Sequence, residues 1–232
     1  MSNYTQFAEH GCNQSPPSRT VLLLDASSSM ELTDWPPSRL AGATEAALAL
    51  VNVKASKYPD DHVGIVTFSD VVLILHPVAP VRWGENSLRA ALTQFRTGPA
   101  TAMTDGMIMA AKLLTDSPAA TNPSSTGAGG VCAWGPHRAN LASPGPMDQI
   151  ILITDGEHNQ GPDPVPYALE AKRAGIVIDV IGIGTPSGLD QTCLKAIASP
   201  RLDGAPRYCF IGDAHELCDK LWELAQHQIM PL

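Results

Sequence analysis

The chain has 232 residues, 44% of them hydrophobic and only 16% charged, with 15 basic against 23 acidic side chains for a net charge of −8. That length suits one α/β domain. The acidic balance excludes the basic footprint of a nucleic-acid binder or of a protein held on anionic membranes. The apolar runs at 21–24, 71–75 and 150–153 fall far short of the roughly 20 residues a spanning helix needs.

Residues 1–18 are polar and read as a flexible lead-in; they lack the basic and apolar regions of an export signal. Residues 20–25 form a continuous apolar run ending in Asp25, the pattern of a strand buried on both faces. Residues 39–57, rich in Ala and Leu, predict a helix. Two β-branched runs, 62–69 and 71–77, are separated by a tight turn and predict a hairpin. Helices are predicted at 86–95 and 102–114, and a second buried strand at 147–154. A helix at 165–174 closes on Gly175. Then follow a strand at 176–183, a helix at 189–198, a strand at 208–211 and a last helix at 214–229. Alternation of this kind predicts a doubly wound, mostly parallel central sheet with one antiparallel edge strand and helices on both faces. The folded unit is expected over 19–232, interrupted by an irregular insertion at 116–146 that is dense in Pro, Gly and Ser.

The five cysteines, Cys12, Cys132, Cys193, Cys209 and Cys218, are odd in number and scattered, with no CxxC pair. They point to reduced thiols and a cytoplasmic location rather than a disulfide scaffold or a zinc site. No GxSxG and no GxxxxGK[ST] occurs.

The chemistry gathers at strand ends. Asp25 closes the first buried strand and is followed by Ser27 and Ser29; Asp155 closes the second within Thr154-Asp155-Gly156. Ligands of open α/β sheets collect at such carboxyl ends. Carboxylate and hydroxyl oxygens grouped there suit a hard cation such as Mg²⁺. The loop between them offers a further hydroxyl from Thr101 or Thr104.

Asp25-x-Ser27-x-Ser29, a threonine loop and Thr154-Asp155-Gly156, in that order, resemble the von Willebrand factor A (VWA) family over residues 20–230. The resemblance implies a Rossmann-like fold and a metal-ion-dependent adhesion site (MIDAS). Its ligands would be Asp25, Ser27, Ser29, Thr101 and Asp155, with Thr104 the alternative to Thr101. The ion would be Mg²⁺, with Mn²⁺ or Ca²⁺ as alternatives, completed by a Glu or Asp of a partner protein. It further implies a protein–protein interaction module rather than an enzyme, in the form of a cytoplasmic adaptor linked to a MoxR-type AAA+ ATPase. Extracellular adhesion is the alternative, and a metal-dependent phosphoester hydrolase is a further one. For the hydrolase the position two residues after Asp25 should be acidic, and it is Ser27.

Three neighbours of the site have two readings each. Trp35, in the link 31–38 with Glu31 and Asp34, is either an exposed partner anchor or a local plug. Glu157 and His158 read as rim residues, and His158 as solvated rather than ligating. Trp134 in the insertion is either a second partner anchor or part of a surface excursion.

Overall fold

The computed structural model describes residues 16–94, 96–116, 147–156 and 158–226. At its centre lies β1 (Arg19–Asp25), in which every residue is buried. The reason is its place in the sheet, whose order is β3-β2-β1-β4-β5-β6. It pairs in parallel with β2 (His62–Phe68) on one side and β4 (Asp148–Thr154) on the other. Beyond β4 follow β5 (Ile176–Ile183) and β6 (Tyr208–Ile211), both parallel. The expected hairpin puts β3 (Val72–Pro80) antiparallel on β2 at the edge. Its register shifts between Val63 and Val66, and it leaves Leu73 and Ile74 exposed.

Side-chain alternation along the strands divides the core into two layers. Leu22, Leu24, Ile65, Ile151, Ile153, Ile181 and Ile183 face α1 (Arg39–Lys57), α2 (Val81–Ala91) and α6 (Ala214–Gln226). Val21, Leu23, Val66, Phe68, Ile150, Leu152, Ile178 and Val180 face α3 (Met103–Thr115), α4 (Pro164–Arg173) and α5 (Gln191–Ile197). Burying each of these side chains stabilises the fold by about 1.5–3 kcal/mol. This is the doubly wound architecture expected from the sequence.

The helix expected at 86–95 begins earlier, at Val81. Pro80 precedes it, and its packed positions are Val81, Gly84, Leu88 and Ala91. Trp83 beside them is 77% exposed, which masks the apolar spacing. The edge strand β3 runs three residues past its expected end, to Pro80; the other elements begin and end within two residues of their expected limits where described. The last three positions of the predicted 214–229 helix, the insertion beyond residue 116 with Trp134, and Glu157 lie outside the described residues.

At the amino ends of the strands two ion pairs are buried. Arg19 donates to Asp148 through Nε at 2.7 Å and Nη2 at 2.6 Å. The Lys54 ammonium donates to Asp61 at 2.8 Å and to Ser18 at 3.1 Å. Removing one partner of such a pair costs about 3–5 kcal/mol, because it strands a buried charge. These pairs mark the pole opposite the strand ends where Asp25 and Asp155 lie.

Candidate metal centre

β1 and β4 are neighbours, yet the chain leaves them in opposite directions, toward β2 and toward β5. Their carboxyl ends therefore flank the crevice where α/β sheets bind ligands. Leu24 stands opposite Ile153 in the parallel register, so Asp25 and Thr154-Asp155 emerge side by side.

Asp25 has no exposed surface. Its Oδ1 accepts from the Ser27 amide at 2.8 Å and its Oδ2 from the Thr154 hydroxyl at 2.6 Å. Beyond it a 3-10 turn over Ser28–Glu31 brings the serines round. Ser27 Oγ lies 2.9 Å from Ser29 Oγ, and Ser29 Oγ donates to Asp155 Oδ1 at 2.8 Å. The Ser27 side chain is also hydrogen-bonded to the Asp25 carboxylate, so the two serine hydroxyls lie between Asp25 and Asp155. A hydroxyl carries one proton and two lone pairs. Each hydroxyl oxygen therefore keeps acceptor capacity beside the two carboxylates.

The threonine loop is laid against this turn by backbone bonds. Ser28 N–H donates to Gly98 O at 2.8 Å and Gly98 N–H to Ala26 O at 2.9 Å. On its other side the loop passes the β2–β3 turn, where a Cβ on residue 98 would stand 2.0 Å from Asp70 Oδ1 and 2.9 Å from Ser69 Cβ. The Thr101 amide donates to Asn159 Oδ1 at 2.8 Å. A Cβ on Gly156 would lie 3.9 Å from both Ser29 Oγ and Thr101 Oγ1, so both hydroxyls lie close to the Gly156 exit of β4. Thr104 is turned away, its hydroxyl donating to Pro162 O. The structure thus brings Asp25, Ser27, Ser29, Thr101 and Asp155 to one edge and sets Thr104 apart. His158 sits on the rim, with Nε2 3.3 Å from Gly161 O.

The donor set is three hydroxyls and two carboxylates. Among the described residues no three His, Cys, Asp or Glu side chains converge as metal ligands, so neutral hydroxyls outnumber carboxylates here. Burial pushes the Asp25 carboxyl up to about 6, against the lowering effect of the Ser27 and Thr154 hydrogen bonds, and the nearby Asp155 charge adds to the rise. Two buried carboxylates, one of them paired with Arg39 at 2.9 Å, beside three hydroxyl oxygens are a donor set that could hold a hard cation.

Arg39 and Asn159 were not picked out as site residues in the sequence. Arg39 Nη1 donates to Asp155 Oδ2 at 2.9 Å, and Asn159 holds Thr101. Trp35 is the plug of the two readings: it is 4% exposed, and its ring lies 3.2 Å from where a Cβ on Gly42 would be.

Fold and strand-end cluster together define a Rossmann-like α/β domain with an oxygen-donor crevice at the switch point of its sheet. Residues 20–157 match the model of the von Willebrand factor type A domain, and the chain belongs to that family. It is similar to a UPF0353 protein of Mycolicibacterium paratuberculosis, 31% identical over 174 residues covering 72% of this chain and 45% of that one. The chain spans less than half the length of the curated relatives it matches. Its fold is that of BatB from Bacteroides thetaiotaomicron, at a TM-score of 0.63, 20% identity and coverage of 88% and 95% of the two chains. It is equally that of mussel byssus proximal thread matrix protein 1, whose MIDAS is occupied by zinc, at a TM-score of 0.63, 20% identity and coverage of 90% and 47%. No helix among the described residues is long and apolar enough to cross a membrane.

Proposed function

We propose that this crevice binds one divalent cation, Mg²⁺ by the hardness of its donors, and that the bound ion takes up a Glu or Asp carboxylate of a partner protein. Ser27, Ser29 and Thr101 would hold the ion through their hydroxyls. Asp25 and Asp155 would act directly or through water. The observation that carries this reading is the gathering of the Ser29 and Thr101 hydroxyls at the Gly156 end of β4, with Ser29 bonded to Asp155. The ion would supply a positive centre for an anionic ligand, and the chain's part is to fix the donors and keep them dry.

Binding rather than catalysis is supported by Asp25 itself. Both its oxygens already accept hydrogen bonds, from Ser27 and Thr154, so neither is presented as a nucleophile. The position two residues on is Ser27, which cannot act as the general acid of an aspartate-based phosphotransferase. The folded unit proposed is 19–232, in the role of a cytoplasmic adaptor. Its narrowest form pairs it with a MoxR-type AAA+ ATPase, on the strength of the sequence resemblance.

Calorimetric titration of Mg²⁺ and Mn²⁺ into EDTA-treated protein tests the site, beside the Ser27→Ala, Ser29→Ala double variant. One-to-one binding lost in the variant supports it. No binding by the wild type, with or without added acetate as a carboxylate surrogate, overturns it. A capture experiment whose yield falls with EDTA and with Asp25→Ala tests the partner step.

A further inference from the structure

Arg39 is the first residue of α1, and its position needs an explanation. A cation there meets the positive end of the helix dipole. The side chain is also buried, only 6% of the residue being exposed, which adds a desolvation cost. Two carboxylates offset both. Nε donates to Asp34 Oδ1 at 2.9 Å and Oδ2 at 3.1 Å, Nη2 to Asp34 Oδ2 at 2.5 Å, and Nη1 to Asp155 Oδ2 at 2.9 Å. The guanidinium fills a niche opened by Gly184 at the exit of β5. A Cβ there would stand 2.7 Å from Cζ and Nη1, and the backbone has φ +94°. One planar fork thus joins the strand end bearing Asp155 to the link between the 3-10 turn and α1.

The link is fastened around this fork. Asp34 also accepts from the Trp35 amide at 3.1 Å, Trp35 is packed into the core, and the Arg39 amide donates to Leu32 O at 3.1 Å. Leu32 itself is 50% exposed, on the stretch that follows Ser29.

We propose that Arg39 is a positioning residue which divides its charge between Asp155 in the ion site and Asp34 in the link, coupling cation affinity to the order of residues 32–38. This rests on the cation reading above. The guanidinium is charged at every accessible pH. A cation beside Asp155 repels it and competes for the same carboxylate. Asp34 draws the charge away and so favours the ion. By reciprocity the ion tightens the Arg39–Asp34 pair and with it the link. A partner that grips the link and supplies a carboxylate would meet one surface, not two.

The test uses Mg²⁺ alone, titrated calorimetrically at low salt into four full-length proteins: wild type, Asp34→Asn, Arg39→Gln and the double variant. The expected result is that Asp34→Asn weakens Mg²⁺ binding by about fivefold or more. In the Arg39→Gln background the same change should alter affinity by less than about twofold. An Asp34→Asn effect that is the same in both backgrounds, or absent, would mean that Asp34 does not act on the ion through Arg39, and either result overturns the proposal while leaving the ion site standing. Absence of Mg²⁺ binding in the wild type overturns both. If Arg39→Gln does not melt cooperatively, Arg39→Met replaces it, keeping a stem without the fork. Amide exchange in wild-type residues 32–38 gives an independent readout. It should slow about threefold or more on Mg²⁺ saturation, and unchanged exchange also overturns the coupling.

Discussion

The Thr154 hydroxyl donates to Asp25 Oδ2 across 2.6 Å, joining two neighbouring strand ends that lie 129 positions apart in the chain. Both residues have no exposed surface. The bond aims the Asp25 carboxylate and satisfies one of its oxygens, but it supplies no charge. Asp25 is therefore a buried anion whose only compensation within this geometry comes from neutral donors, with Asp155 nearby.

A pH dependence follows from that. The folded carboxyl is pushed up to about 6 from an ordinary 3.8, so folding favours its protonated form. Stability from this group is fully present below about pH 4 and is lost as pH rises through 6, by roughly 3 kcal/mol in all. In EDTA, the melting temperature of the wild type should fall from pH 4.5 to 7 relative to Asp25→Asn, and Mg²⁺ should restore it at pH 7 but not at pH 4.5. Parallel melting curves for the two proteins at every pH would contradict this.

Thr101 and Thr104 should separate function from stability. Thr101→Val removes a hydroxyl that lies, like Ser29 Oγ, 3.9 Å from the Gly156 Cβ position, and it should weaken Mg²⁺ binding at least tenfold while the melt is little changed. Thr104→Val leaves the Pro162 carbonyl without its donor, which should cost about 1–3 kcal/mol with Mg²⁺ affinity retained. Titration and thermal melts on both variants check it, and an exchange of the two phenotypes would assign the loop ligand to Thr104.

Trp35→Ala should destabilise the protein by about 3–5 kcal/mol, the usual cost of emptying a packed aromatic site. The ring lies against Gly42 of α1 and belongs to the layer that includes α6. Urea denaturation measures the loss. A change below about 0.5 kcal/mol, the range of ordinary surface substitutions, would mean that the ring does not serve as a plug.

Cys193 and Cys209 should resist alkylation. Burial pushes both thiols up to about 11, with Asp190 adding to the rise at Cys193 and Asp179 at Cys209. At pH 8 the thiolate fraction is then about a thousandth or less. Peptide mapping after brief iodoacetamide treatment of folded protein should recover both unmodified, with modification appearing on unfolding. Rapid labelling of either in the folded protein would refute the assignment.

The central strands were legible because burial on both faces leaves a continuous apolar run, as in 21–24 and 150–153. The candidate residues Asp25, Ser27, Ser29 and Asp155 stand out because each sits at a fixed offset from such a run. Other features depend on contacts that spacing does not encode. An arginine at a helix start is ordinarily solvated, and Arg39 is buried only because Asp34, Asp155 and Gly184 arrive from three different elements. Trp35, among polar residues and prolines, gives no periodic signal, and its packing surface lies on α1 and in the α6 layer. The start of α2 was hidden because Trp83 and Gly84 interrupt the apolar pattern that Val81, Leu88 and Ala91 complete.

The pairing of β1 with β4 sets the order in which the crevice can come into being. Its hydroxyls and carboxylates come from stretches far apart in sequence, Ser29 and Asp155 being separated by 126 positions, and closing so long a loop precedes any reward from their contact. A half-formed chain would therefore lack part of the proposed donor set. A cation bound by these donors would leave the refolding rate unchanged and slow escape from the native state in proportion to its occupancy. It would act as a latch on unfolding and not as a nucleus for folding.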